Sequence, residues 1–395
     1  MNKYNKLSII SFSILFLLLF QSSVLSKGFK SGNDKNNKEF NKVDKVIESA
    51  IADSAFPGAV ILIQKNGKVL YKKAYGYYTY DHSSGHIKLN TMYDLASLTK
   101  VIATTTATMI CYDRGLFKLD DKVSKYFPQF GVNGKENVTI RNLLVHDSGL
   151  RPDLPSYRAF DSVKNKEQGV MNEIFNDSLV YPTGTQMVYS DLNFILMGKI
   201  IEKVTGMPLD KFCEKNIFKP LGMKNTMFNP PDSLVYRIAP TENDNYWRHR
   251  QIRGTVHDET SQLLGGVAGH AGLFSTAGDI AKLLQMLLQK GVYHGKRYIK
   301  ASTVEMFVKR QSDLSSRALG WDTKSKPPAY STAGHLFSDI SYGHTGFTGT
   351  SAWTDPTRNL FVVFLTNRVY PTRKNEKIRK VRPEVHDAVI QSIEK

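Results

Sequence analysis

The chain has 395 residues, of which 41% are hydrophobic and 11% aromatic, and these proportions exclude a disordered or low-complexity protein. Only two cysteines occur, Cys111 and Cys213, which excludes a scaffold built from disulfides but leaves open whether the two pair in an oxidising compartment. The formal net charge of +17 favours anionic surroundings such as a cell-envelope polymer or a phospholipid surface, because a basic protein attracts polyanions.

The first 26 residues have the composition of a secretory signal peptide. Lys3 and Lys6 precede an apolar run at 7–20, and Val24–Ser26 offers small residues for cleavage. We therefore expect residues 1–26 to be removed on export, which makes the mature protein secreted across the inner membrane and periplasmic or envelope-associated. An uncleaved N-terminal anchor is the alternative, and it would be the protein's only link to a membrane. Export also argues against nucleic acid as a partner.

A flexible linker and one folded domain are expected to follow. Residues 27–42 are polar and poor in apolar side chains, which is typical of a linker. Amphipathic patterns that require a core begin at Val43, so we place a single domain at 43–395. That length provides ample material for one large core.

Apolar runs near both chain ends predict strands, whereas the middle of the chain is predicted to be mostly helical. Ala59–Ile63 predicts a buried strand, and Asn66-Gly67 predicts the hairpin turn to the next strand. The other main predicted elements are helices at Ser97–Arg114, Leu192–Val204, Ile280–Leu288 and Pro383–Ile393, and strands at Ser351–Thr354 and Leu360–Thr366. This distribution indicates an α+β fold in which both termini contribute to one sheet.

The spacing Ser97-x-x-Lys100 can place a nucleophile beside its proton acceptor. Residues i and i+3 of a helix lie on one face, with Cβ atoms about 5–6 Å apart, and a desolvated lysine whose pKa falls could take the hydroxyl proton. Ser97 also stands at the predicted helix start, where the helix dipole favours a developing alkoxide. The spacing alone is not decisive, because Ser392-x-x-Lys395 repeats it at the C-terminus.

Two later segments could complete a site. Tyr189 begins a Tyr-Ser-Asp sequence that ends at Asp191, and a phenol deprotonated beside a lysine can act as a general base. Residues 344–349 read His-Thr-Gly-Phe-Thr-Gly. Gly346 would let a substrate approach the backbone of an edge strand, and the N–H of Phe347 could donate a hydrogen bond to an oxyanion.

The order Ser-x-x-Lys, Tyr-Ser-Asp, His-Thr-Gly resembles the serine β-lactamase and penicillin-binding-protein superfamily. Within it, the chain looks most similar to the class C-like branch of D-alanyl-D-alanine carboxypeptidases, D-aminopeptidases and esterases. The resemblance extends over segments 57–59, 90–100, 139–150, 265–276 and 346–356. It implies an α/β/α sandwich with an antiparallel sheet and a mostly helical part, hydrolysis through a serine acyl-enzyme, and neither cofactor nor metal.

The resemblance also implies roles by position. Ser97 would be the acylated nucleophile and an oxyanion donor through its N–H, Lys100 would assist its deprotonation, and Tyr189 would shuttle protons and activate the deacylating water. The implied substrate-binding residues, including the strand against which substrate aligns and the second oxyanion donor, are Asp191, His344, Thr345, Gly346 and Phe347.

Two positions depart from the pattern of the family's lactamases, which usually carry asparagine where Asp191 stands and lysine where His344 stands. An ionised aspartate only accepts hydrogen bonds, and a histidine with an ordinary pKa of about 6.5 is only partly charged. We therefore expect a hydrolase of D-alanyl peptides or small esters, with peptidoglycan as a candidate partner. The alternatives are a class C-type β-lactamase, or a slow penicillin-binding protein that acylates with β-lactams without efficient turnover.

Several other features are predicted to be structural. Gly265–Gly272 lacks the Gly-Lys-Ser/Thr ending of a phosphate loop, so we expect it to form a closely packed floor of the site. His82 and His86 lie in a Ser-Gly loop and are expected to be exposed to solvent rather than bound to metal. His146 and His270 are expected to be buried histidines that form hydrogen bonds.

Overall fold

The computed structural model describes residues 39–394, so the predicted signal peptide and residues 27–38 of the predicted linker lie outside the described residues. The α-helices are α1 Asn41–Ala52, α2 Thr106–Asp113, α3 Ile140–Val145, α4 Lys166–Asn176, α5 Asp191–Thr205, α6 Leu209–Cys213, α7 Glu259–Leu263, α8 Ala277–Leu288, α9 Ala301–Val308 and α10 Ile378–Ile393. The strands are β1 Gly58–Lys65, β2 Lys68–Gly76, β3 Tyr93–Asp94, β4 Met227–Phe228, β5 Asn243–Asp244, β6 Arg250–Gln251, β7 Leu273–Ser275, β8 Val292–Tyr293, β9 Lys296–Arg297, β10 Asp322–Thr323, β11 Tyr342–Thr345, β12 Ser351–Asp355 and β13 Leu360–Thr366.

Six strands form one antiparallel sheet in the order β10-β11-β12-β13-β1-β2. The first hairpin of the domain therefore pairs with its last strand, in a register that runs from Ala59 opposite Thr366 to Lys65 opposite Leu360. Asn66 and Gly67 form the hairpin turn with φ angles of 52° and 74°, the left-handed conformation that their side chains tolerate. The prediction of one antiparallel sheet built from both chain ends is confirmed.

Apolar layers cover both faces of this sheet, which explains the unbroken apolar run in β1. Val60 and Leu62 belong to a large core shared with the helical part of the domain. Ala59, Ile61 and Ile63 belong to a smaller core that also contains residues of α1 and α10. Because successive strand residues point to opposite faces, one strand contributes to both cores. The α/β/α sandwich expected from the resemblance is confirmed.

The predicted helix at Ser97–Arg114 is present, but its first turns are irregular. Lys100–Thr105 adopt a wider π-helical turn before α2, a feature that often accompanies functional sites. Ser97 lies in a tight turn just before the helical residues. The preceding Ala96 has a φ of 46°, which is uncommon for any residue except glycine and indicates local backbone strain. The nucleophile candidate thus stands on a constrained corner of the chain.

The other predicted main helices also form, as α5, α8 and α10, and each is longer than the sequence pattern indicated. Within residues 39–394, no helix combines the length and the apolar character needed to cross a membrane. Cys111 and Cys213 are both buried and both free, so the pairing that the sequence left open is not formed.

Candidate active site

The structure brings the side chains of Ser97 and Lys100 into direct contact. Lys100 Nζ lies 2.8 Å from Ser97 Oγ, and the lysine is completely buried. The second match to this spacing is different, because Ser392 donates its hydroxyl hydrogen to Ala388 O inside α10 and Lys395 lies outside the described residues. The spacing therefore forms a nucleophile–amine pair at Ser97 only, within the part of the chain that is described.

Lys100 has two further oxygen partners. Its Nζ lies 2.7 Å from Asp191 Oδ1 and donates to His270 O at 3.1 Å. Burial lowers the pKa of Lys100, but the charge and hydrogen bonding of Asp191 outweigh it, and the pKa is raised. The prediction of a lowered lysine pKa is therefore wrong, because a carboxylate stabilises the ammonium form. In the resting site Lys100 is protonated at neutral pH.

Asp191 lies at the start of α5, and its main-chain N–H donates to Pro152 O at 2.7 Å. This anchors the carboxylate next to Lys100, and Asp191 is not among the residues that line the cleft over Ser97. The contact between Asp191 and substrate stays a prediction. The contact that the structure shows is an ion pair with the amine beside the nucleophile, which the sequence did not predict.

Tyr189 lies near two cations, Lys100 and Arg317, and beside the ring of His146. Its ring stacks on His146 with centroids 4.5 Å apart, and Lys100 Nζ is 5.0 Å from its centroid. Burial raises the pKa of Tyr189, the charge of Lys100 lowers it, and the result is a raised pKa. The resting pair is thus a neutral phenol beside an ammonium. One proton must leave this pair before it can accept the hydroxyl proton of Ser97.

The segment with the predicted oxyanion donor is held against the segment that leads to Ser97. Thr348 Oγ1 donates to Asp94 O at 2.7 Å and Thr350 Oγ1 donates to Leu95 O at 3.0 Å. At Gly346 the approach is so close that a Cβ atom would lie 2.3 Å from Leu95 O, so only glycine fits. These contacts fix the two predicted oxyanion donors relative to each other.

Those two donors, the N–H groups of Ser97 and Phe347, have no hydrogen bond to a protein acceptor within residues 39–394. Both residues line a cleft of about 330 Å³, as do Tyr189, His344, Thr345 and Gly346. The structure thus brings the predicted site residues together, with Lys100 buried beside Ser97 and Asp191 partly buried next to Lys100. Paired backbone N–H groups of this kind can stabilise a tetrahedral oxyanion by several kcal/mol, about 3–4 for a single donor.

His344 is neutral, and the positive charge near it belongs to Arg317. Its Nδ1–H donates to Thr345 O at 2.8 Å, which leaves Nε2 as an acceptor 3.4 Å from Arg317 Nη1. Burial, with the nearby Arg317 charge, lowers the pKa of His344 well below its ordinary value, so the expectation of a partly charged histidine is wrong. Sequence reasoning missed Arg317, since it precedes His344 by 27 residues and belongs to no motif.

Both histidines that were predicted to be buried and hydrogen-bonded are so. His146 Nδ1 accepts from the N–H of Ser190 at 3.1 Å, and His270 Nε2 lies 2.8 Å from Asp258 Oδ1. Asp191, Asp258 and His270 could each offer one atom to a metal ion, within 4.8 Å of one another. Two protein ion pairs already use these groups, Lys100 with Asp191 and His270 with Asp258, so we assign no metal to the cluster.

Comparison with known proteins shows the family and the fold. The family model described as Beta-lactamase matches residues 43–386. The chain is 36% identical over 361 residues to the N-acetylmuramyl-L-alanine amidase of Bacillus subtilis (strain 168), covering 84% of this chain and 82% of the relative. It is 35% identical over 379 residues to the "Putative D-alanyl-D-alanine carboxypeptidase" of Escherichia coli (strain K12), covering 89% of this chain and 86% of the relative.

A solved class C β-lactamase from Rhodobacter sphaeroides has the same fold, with a TM-score of 0.71 at 20% identity over 90% of this chain and 100% of the other. At that identity the likeness concerns the fold alone.

The first prediction concerns the nucleophile. We expect a p-nitrophenyl ester or a fluorescent penicillin to add one acyl group to the protein, detected by intact-mass spectrometry and located at Ser97 by peptide mapping. Ser97→Ala should carry no adduct, because the attacking oxygen is gone. Ser392→Ala is the matched control, since it removes the serine of the second Ser-x-x-Lys, and it should be labelled like the wild type. Labelling of Ser97→Ala at the wild-type rate would contradict the assignment.

The second prediction concerns pH. The charge of Asp191 raises the pKa of Lys100, so the Asp191→Asn substitution should lower that pKa and make the unprotonated amine available at lower pH. The acidic limb of the pH profile of kcat/KM should therefore move to lower pH, measured with a neutral ester. Asp232→Asn, at an exposed carboxylate, serves as the control. An acidic limb that stays in place in a folded Asp191→Asn protein would show that Asp191 does not hold this proton.

Proposed function

Since the chain belongs to the β-lactamase family of serine hydrolases, we propose that it is an exported acyl-transfer hydrolase that removes the terminal D-alanine from peptides of peptidoglycan. In this reaction the Lys100–Tyr189 pair first loses one proton to solvent. Ser97 Oγ then attacks the carbonyl carbon of the penultimate residue, and its proton passes to the pair. The pair then gives a proton to the leaving amine as the C–N bond breaks. A water molecule, deprotonated by the same pair, hydrolyses the resulting ester and regenerates Ser97.

The observation that carries this proposal is the charge of Arg317. Its guanidinium lies 5.1 Å from the ring centroid of Tyr189 and 3.4 Å from His344, on the wall of the cleft above Ser97. No carboxylate forms an ion pair with it within residues 39–394. A cation in this position suits the free carboxylate of a C-terminal D-alanine, because guanidinium binds carboxylates through two parallel hydrogen bonds. It would supply the charge that neutral His344 does not.

The relatives support a peptidoglycan substrate, but they do not decide which of its bonds is cleaved. The names of the two curated relatives concern a D-alanyl-D-alanine carboxypeptidase and an N-acetylmuramyl-L-alanine amidase. We therefore keep cleavage of a muramyl-L-alanine amide as the second candidate, favoured by the 36% identity to the amidase. The products separate the two, because the first reaction releases free D-alanine and the second releases a peptide with a new N-terminal L-alanine.

The cellular location belongs to the same proposal. Residues 1–26 have the features of an export signal, and a substrate in peptidoglycan would require a protein outside the inner membrane. A net charge of +17 is compatible with an anionic envelope.

The third prediction tests the carboxylate contact. Arg317→Gln should lower kcat/KM roughly 10- to 100-fold on diacetyl-L-Lys-D-Ala-D-Ala, because a charged hydrogen bond contributes about 1.5–3 kcal/mol. On the same peptide with a C-terminal amide, the substitution should change kcat/KM by no more than a few-fold. Free D-alanine or D-alaninamide is measured in each case.

Lys309→Gln, which removes an exposed cation outside the cleft, should behave like the wild type on both peptides. Equal losses on the acid and the amide in Arg317→Gln would contradict a role in binding the carboxylate.

The fourth prediction separates a turnover enzyme from a protein that only acylates. Tyr189→Phe should still form an acyl-enzyme but hydrolyse it at least 10-fold more slowly, because the phenol that activates water is removed. The acylated fraction is followed over time by intact-mass spectrometry after a single dose of ester. If wild-type protein also stays acylated for hours with every peptide and ester, the slow penicillin-binding alternative is favoured. Normal deacylation in Tyr189→Phe would refute the role of Tyr189.

A further inference from the structure

We propose that Arg382, on the C-terminal helix α10, is a positioning residue that fixes the peptide group carrying the second oxyanion donor. The inference rests on the proposed acyl transfer at Ser97, but it does not depend on which peptide or ester is the natural substrate.

The geometry of one peptide plane leads to this inference. Gly346 C=O and Phe347 N–H belong to the same peptide group, and in a planar trans peptide the two bonds point in opposite directions. Arg382 Nη2 donates to Gly346 O at 2.6 Å and to Thr350 O at 3.0 Å. The N–H of Gly349 also donates to Gly346 O, at 3.0 Å. Because Arg382 and Gly349 hold the Gly346 oxygen, the Phe347 N–H of the same peptide must point in the opposite direction.

Gly346 makes such a constraint necessary. The missing Cβ lets the chain pass close to Leu95 O, but it also removes the steric barrier that keeps other residues in one backbone conformation. A rotation of this peptide would turn the Gly346 carbonyl, rather than the Phe347 N–H, toward the oxyanion. The two hydrogen bonds to Gly346 O oppose that rotation. Arg368 adds a second brace, because its Nε donates to the next carbonyl, Phe347 O, at 2.7 Å.

Burying Arg382 lowers the stability of the fold, so stability does not explain its position. It is 7% exposed, and within residues 39–394 it forms no ion pair with a carboxylate. Burial lowers its pKa to about 9, so it is still protonated at neutral pH. A buried charge without a counter-ion is unfavourable for folding. Placed on the carbonyl oxygen, however, the same charge polarises the peptide and strengthens its N–H as a donor.

The position of Arg382 is fixed by packing on both sides of it. Val381 and Val385 of α10 are part of the smaller core beneath the sheet, and the α10 backbone therefore cannot move without disturbing that core. The guanidinium reaches from this helix to the turn after β11. The C-terminal helix is thereby linked mechanically to the oxyanion hole, with the sheet between α10 and the helical part of the domain.

The fifth prediction uses three variants of the full chain, assayed on one chromogenic ester and by intact mass for acylation at Ser97. Arg382→Met removes charge and hydrogen bonds and should lower kcat and the acylation rate roughly 10- to 100-fold, with KM within about two-fold. Arg382→Lys keeps the charge but has a shorter side chain without the planar guanidinium, and should recover part of the rate. Lys380→Gln, at an exposed position of the same helix, should match the wild type.

A folded Arg382→Met protein with kcat within two-fold of the wild type would overturn the inference. So would a change in KM alone, which would assign Arg382 to substrate binding, or a loss that follows the unfolded fraction measured by thermal melting. If Arg382→Met does not fold, Arg382→Lys decides, since full wild-type kcat in that variant would overturn the role of the guanidinium geometry. Failure of the wild type to release D-alanine bears only on the proposed substrate, because this assay needs only the Ser97 acyl-enzyme.

Discussion

The site depends on the contacts that the fully buried ammonium group of Lys100 makes with oxygen atoms. A buried lysine is tolerated only if oxygen atoms replace the water that it loses. Three parts of the chain provide them, namely Ser97 Oγ at 2.8 Å, Asp191 at 2.7 Å and His270 O at 3.1 Å. The turn at Ser97, the start of α5 and the glycine-rich segment before β7 therefore converge on a single nitrogen atom. Moving any one of these would remove one of the three oxygen partners of a buried charge.

Charge at this site is distributed differently from the pattern that the sequence resembles. Asp191 neutralises Lys100 in place of an asparagine, and His344, where a lysine is usual, is neutral. The positive charge next to His344 on the cleft wall is carried by Arg317, from outside any of the three motifs. With Lys100 ion-paired and no lysine at 344, Arg317 provides a cation beside His344 and Tyr189 that no carboxylate pairs within residues 39–394, and that cation is a guanidinium. Its geometry favours a carboxylate over a neutral group.

Local signals predicted much of this protein, and long-range contacts account for what they missed. Asn66-Gly67 predicted the first hairpin, and the apolar runs predicted strands β1 and β13, because turn chemistry and burial on both faces depend on adjacent residues. Ser97, Lys100 and Tyr189 could be named because the order of their short motifs resembles a known family, whereas the Ser-x-x-Lys spacing alone was not decisive. The raised pKa of Lys100 could not be predicted, since it depends on a carboxylate 91 positions away in the sequence, brought there by α5. Arg317 and Arg382 were missed for the same reason.

The pairing of the two chain ends also positions part of the active site. The pairing of β13 with β1 joins the N-terminal hairpin to the C-terminal strands in one sheet. Helices α1 and α10 together cover the sheet face opposite the helical part of the domain. That arrangement lets the Arg382 side chain of α10 reach the turn after β11, where it donates to Gly346 O. The segment before Ser97 is bound to the other side of the same turn through Thr348 and Thr350. The turn is thus held from both layers of the sandwich. Hydrogen-bond donors that are already oriented need no reorganisation when charge develops, so this rigidity favours the transition state over the substrate.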